Sequence, residues 1–76
     1  MESLFSTNIN VNNKHAVYQV FFNQEKYIFL PEVKDIELPS FSFKREHDEW
    51  HDQELLPPQL KKQAINALEN YLLAQH

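Results

Sequence analysis

The chain has 76 residues, with neither glycine nor cysteine. Average usage is roughly 7% glycine, so about five would be expected. The gap excludes the glycine-built phosphate loops and the EF-hand loop. It equally excludes disulfides, thiolate zinc sites, iron–sulfur clusters and cysteine nucleophiles. Net charge is −4, with seven Lys/Arg against eleven Asp/Glu. That balance argues against nucleic-acid or anionic-membrane partners, which favour a basic face.

One domain is expected over 1–76. The apolar content of 42% and aromatic content of 13% are those of a chain that builds a core rather than of a disordered one. No basic segment followed by an apolar run opens the sequence, so no signal peptide is expected. Apolar runs do not exceed four residues, as at Tyr27 to Leu30, whereas a membrane span needs about twenty. The absence of cysteine fits a reducing compartment. The expectation is a soluble, cytoplasmic protein.

Residues 1–6 carry Leu4 and Phe5 without a clear pattern. From Thr7 the chain alternates, with Ile9 and Val11 set between asparagines, and a strand is predicted at about 7–11. Asn12-Asn13 follows, and asparagine tolerates positive φ well enough for a tight hairpin turn. Residues 15–22, rich in Val, Tyr and Phe, form the second predicted strand. A turn centred on Gln24-Glu25 leads into a third, at 26–31. Pro31, with no donor for a ladder, closes it or sits at its edge.

A charged connection over 32–39 precedes a fourth strand at 40–46. There Phe41 and Phe43 share one face, and Ser40, Ser42 and Lys44 the other. His47-Asp48 turns the chain into a short return strand at 49–52, which sets Arg45 opposite Trp50 for a cation–π contact. Without glycine, all three hairpin turns are expected to be longer or bulged.

Leu56-Pro57-Pro58 marks a boundary, since proline drives the residue before it out of the helical region and itself suits the first helical position. Beyond it the period becomes 3.6. Leu60, Ala64, Ala67, Leu68, Tyr71 and Leu72 make one stripe, with Ile65 at its edge. A helix at about 58–75 is predicted, roughly 25 Å long. The fold class is therefore α+β: a four- to five-stranded antiparallel meander followed by one C-terminal amphipathic helix packed on the sheet.

The register has a consequence for function. With Gln24-Glu25 at the turn, Phe22 pairs with Tyr27, Val20 with Phe29, and Tyr18 falls beside Pro31. The opposite face then carries Val17, Phe21, Ile28 and Leu30, broken by Gln19. Both faces are apolar, and one helix covers one face. The second is expected to be buried by the chain itself, through Leu4, Phe5, Val33, Ile36 and Leu38, or by another protein surface. Leu73, which projects away from the helical stripe, joins Val17, Phe21, Ile28 and Leu30 as a candidate partner-binding residue.

The densest polar cluster is His47-Asp48-Glu49-Trp50-His51-Asp52-Gln53-Glu54. His47 and His51 are four apart with Asp48 between them, a spacing that could present two imidazoles to a divalent metal. It resembles the zincin pattern only superficially: the carboxylate is shorter, and the segment reads as turn and strand, not helix. His47, Asp48 and His51 are the candidate metal ligands. Five hydroxyl residues (Ser3, Ser6, Thr7, Ser40 and Ser42) stand in no nucleophile context. The aromatic pairs Tyr27/Phe29 and Phe41/Phe43 lack the basic groove that accompanies stacking platforms for single strands. The expected role is a non-enzymatic protein without cofactor, acting through protein–protein contacts or as a homodimer. The alternative is a metal-binding protein or metal-dependent enzyme using the His47/Asp48/His51 cluster.

Overall fold

The computed structural model describes residues 2–75. Five strands form one antiparallel sheet in sequential order: β1 (Ser3–Val11), β2 (Lys14–Asn23), β3 (Lys26–Pro31), β4 (Phe41–Glu46) and β5 (Glu49–Asp52). One helix, α1 (Pro58–Ala74), follows and packs across a single face. The meander is what short connections dictate, since sequence neighbours become sheet neighbours.

The three hairpin turns are as short as turns can be. Ladder pairing runs out to Val11–Lys14, Asn23–Lys26 and Glu46–Glu49, leaving two residues in each turn. All six carry positive φ: Asn12 (50°), Asn13 (67°), Gln24 (52°), Glu25 (66°), His47 (54°) and Asp48 (64°). This is the mark of the type I′ turn, whose twist matches that of the flanking strands. The expectation of longer or bulged turns is thus corrected. Strand pairing on both sides holds the backbone left-handed even at Gln24, Glu25 and His47, where the side chain has no preference for it.

The bulge lies elsewhere. Ser3 pairs with Phe21 but Phe5 with Val20, so Leu4 is the extra residue in β1. β1 therefore begins at Ser3 rather than Thr7, and a one-residue shift puts Phe5 on the helix side. Elsewhere the predicted pairs hold: Phe22–Tyr27, Val20–Phe29, Tyr18–Pro31 and Arg45–Trp50. The Arg45 guanidinium lies 4.8 Å from the Trp50 ring centre.

The core lies between sheet and helix. Tyr18, Val20, Phe29, Phe43, Ala64 and Leu68 are fully buried, and Ile9, Val11, Phe41 and Leu60 nearly so. Phe29 stacks on Phe41 at 4.9 Å and meets Phe43 edge-on at 5.9 Å, geometries that add to the area they bury. The Tyr18 hydroxyl donates to the Pro39 carbonyl at 2.8 Å. Burial raises the Tyr18 pKa, because the charged phenolate would lose its water. Phe5 stacks on Tyr71 at 4.6 Å, tying β1 to the last turns of the helix.

Two side chains stand in for missing ladder partners. Gln63 of α1 accepts from the Asn10 amide at 2.8 Å and donates to the Asn10 carbonyl at 2.9 Å. It closes part of the outer edge of β1, as a neighbouring strand would. Glu54, just past β5, accepts from the Ser42 amide at 3.1 Å and from its hydroxyl at 3.5 Å. Ser42 is consequently buried rather than exposed. Asp52, at the end of β5, receives the Lys61 ammonium at 3.1 Å. That hydrogen bond holds the Asp52 carboxyl below its ordinary pKa.

Candidate functional site

The helix lies on one side of the sheet; the other side stays open over β2 and β3, while at β4 Glu54 reaches onto it through Ser42. Alternation places Phe21, Gln19 and Val17 of β2 on that open face, with Ile28 and Leu30 of β3 beside them. Val17 and Leu30 are 39% and 40% exposed, and Phe21 and Ile28 half-buried. Phe21 stands directly across from Ile28, and Leu30 from Gln19. The four apolar side chains thus form one patch on the two central strands.

Phe5, Val33, Ile36 and Leu38, four of the residues expected to cover this patch, do not lie over it; Ile36 and Leu38 only border its Leu30 edge. Phe5 is on the helix side, against Tyr71. Leu38 packs against the core cluster and borders Leu30 at the edge of the patch. Val33 and Ile36 stand out in solvent, at 70% and 102% exposure. The connection over 32–39 runs beside the sheet, anchored by the Glu32 amide on the Val17 carbonyl at 2.9 Å and the Lys14–Glu37 ion pair. The idea that the chain buries its own second face is overturned by these positions.

The surroundings of the patch are graded. Ser3 and Ser6 of β1, Ser42 of β4 and Ser40 just before β4 flank it, small and uncharged. Apart from the Glu54 carboxylate, which sits on Ser42 across from Ile28, charge lies at the two ends. At the hairpin end, Lys26 lies directly opposite Lys44, and Lys44 opposite His51. Lys44 has Glu46 at 3.9 Å; among the described residues no carboxylate comes within ion-pair distance of Lys26. At the far end Glu32, one residue past Pro31, takes a hydrogen bond from Gln19. Lys26 and Glu32 went unnoticed in the sequence because they bracket the apolar residues rather than belong to them. Continuing the alternation by one position at each end of β3 finds both.

Leu73 is exposed at 72% but lies on α1, across the sheet from the other four candidates. The structure does not bring it to their surface. It borders a shallow hollow with Arg45, Glu69 and Leu72.

The histidine cluster is spread out. His47 and Asp48 form the β4–β5 turn, while His51 sits on the open face beside Lys44. Asp48 faces Arg45 at 3.9 Å, and His51 faces Glu49 at 3.9 Å. Among the described residues no three His, Cys, Asp or Glu side chains converge as a metal site. A cleft of about 330 Å³ opens near the start of α1, between Ile36, Leu55 and Leu60. Glu37 is its only titratable lining residue, and that carboxylate already holds Lys14. No nucleophile and base meet there.

Among the described residues no helix is long and apolar enough to cross a membrane. No known protein family, no curated protein and no solved structure matches this chain. The functional reading therefore stands on the residues themselves.

Proposed function

We propose that this protein is a small, non-enzymatic contact protein whose working surface is the open face of its sheet, and that it self-associates there. The observation that carries this reading is the patch of Val17, Phe21, Ile28 and Leu30, over which no element among the described residues packs. Contiguous apolar surface rimmed by polar groups marks interaction sites on soluble proteins. A sheet with a helix on one apolar face and a second apolar face on the other side is built to take a further layer there.

The remaining features support the same reading. The cleft near the start of α1 holds no pair of catalytic groups, and the net charge of −4 disfavours a nucleic-acid partner. A cysteine-free chain suits the cytoplasm, with no cofactor required.

Sedimentation equilibrium tests the reading. Wild-type protein is expected to show a concentration-dependent mass rising above the 9.1 kDa of one chain. Ile28→Asp, which puts a charge at the patch centre, is expected to remain folded by circular dichroism and to sediment as monomer. A wild-type chain that stays monomeric up to about 100 μM, two decades above a micromolar dissociation constant, would overturn it.

A further inference from the structure

The open face carries more than an apolar patch, because its charges are arranged along one strand. β3 has Lys26 at one end and Glu32 just beyond the other, both on the open side, with Ile28 and Leu30 between them. The order is Lys, Ile, Leu, Glu at steps of two residues. Such an order is self-complementary on reversal: cation meets anion, and the two aliphatic side chains meet each other.

We infer that two copies of this chain pack open face to open face, with the two-fold axis crossing the strands at the level of Phe29. This rests on the reading of the open face as a self-association surface, and adds the direction in which the two copies pack and the charges that select it. Reversal about that level lays Lys26 over the partner's Glu32 and Ile28 over the partner's Leu30, each contact occurring twice. Neighbouring strands follow the same operation. Phe29 is level with Val20 on β2 and Phe41 on β4. Phe21 therefore meets the partner's Gln19, and Ser42 meets the partner's Ser40. Glu54, bonded to Ser42, comes with it over the partner's uncharged Ser40, and along β3 each charge falls over its opposite.

The other face-to-face two-fold, with its axis along the strands, brings β2 over the partner's β3. It sets Lys26 against Asn23 and Glu32 against Val17, leaving both charges unanswered. The apolar residues fit either packing, and the charges select one.

A strain within the monomer points the same way. Lys26 and Lys44 face each other across the β3–β4 pair, and like charges directly opposite are destabilising. The reversed packing brings a carboxylate to that position from outside. Size is adequate too. Five strands about 4.8 Å apart and roughly 20 Å long present about 500 Å² per copy. Two copies bury about 1,000 Å², the lower bound for a specific interface and fitting for a micromolar dimer.

Charge reversal in low salt tests the direction of packing. Lys26→Glu and Glu32→Lys, each made alone, place like charges at both symmetric contacts, and each is expected to raise the dimer dissociation constant about tenfold. The double variant K26E/E32K restores opposite charges and is expected to return to within about threefold of wild type. Lys26→Glu also removes the Lys26–Lys44 repulsion, so the fold survives and association remains the readout. If the dimer is lost with Ile28→Asp but ignores the charge variants, or if the double variant shows only the sum of the single losses, the reversed packing is wrong while the contact surface stands. If wild type is monomeric at every concentration, or the dimer ignores Ile28→Asp, the contact surface itself fails and the packing with it.

Discussion

The two faces of this sheet are built from the same strands, residue by residue in alternation, yet they have opposite fates. Tyr18, Val20 and Phe29 are wholly buried, while their neighbours Val17 and Leu30 keep about two-fifths of their surface in water. Strand propensity is the same for both sets, since Val, Tyr, Phe and Ile favour strands wherever they point. What separates them is cover. One 17-residue helix reaches across one face, and among the described residues no second helix or strand packs on the other. Apolar residues on a small sheet therefore report on two things at once, the core of the monomer and the surface it offers.

The contrast can be broken with single substitutions, beginning where the effect is largest. Leu68 is fully buried beneath the sheet, and Leu68→Ala should cost about 2–5 kcal/mol in urea denaturation. A domain this small has little stability to lose, so the variant is expected to be partly unfolded at 25 °C. A loss below about 0.5 kcal/mol, the size of a surface effect, would mean that the helix does not pack as described.

Tyr18→Phe comes next, leaving the Pro39 carbonyl without its donor; the expected cost is about 1–2 kcal/mol. The wild-type hydroxyl also carries a sign in pH. Its folded pKa lies above its unfolded one, so its contribution is complete below about pH 10 and is lost as pH rises through the folded value. Tyr18→Phe should flatten the alkaline limb of the stability curve. Gln19→Ala, one residue along on the open face, is the control and should stay within about 0.5 kcal/mol.

Glu25→Gly acts in the opposite direction. At φ 66° a Cβ is a handicap, and glycine there should raise stability by about 1 kcal/mol. The gain tests whether the β2–β3 turn, which sets the register of both faces, is left-handed as described. Leu30→Ser is the smallest perturbation of the monomer. In dilute solution it should change unfolding by less than about 0.5 kcal/mol, yet weaken association. That split between stability and association is the contrast between the faces in its sharpest form.

Most of the sheet was legible in the sequence because its evidence is local. Phe41 and Phe43 alternate with serine, Pro57-Pro58 starts the helix, and Gln24-Glu25 sets a register that carried over pair by pair to Tyr18–Pro31. What could not be read depended on context. Leu4 is bulged out of the β1–β2 pairing, so Ser3 and Phe5 lose their alternation and the start of β1 is hidden. The left-handed turns at Gln24-Glu25 and His47-Asp48 are imposed by strands on either side, not by residue preference. The fate of the second face hung on where Phe5, Val33, Ile36 and Leu38 would go, and those are long-range questions. His47 and His51 showed a helical spacing on a segment that is turn and strand, so their separation in sequence said nothing about convergence.

The pairing of Gln63 with Asn10 has a consequence for the order of events during synthesis. β1 and β2 can zip as soon as they clear the ribosome, but the side chain that closes the outer edge of β1 lies 53 positions further on. At about 5–20 residues per second, several seconds pass before it is made. Throughout that interval the nascent hairpin shows an uncharged edge of the kind that recruits other strands. Completion of the helix shelters one face and one edge together, so this part of the growing chain is most vulnerable to aggregation just before α1 folds.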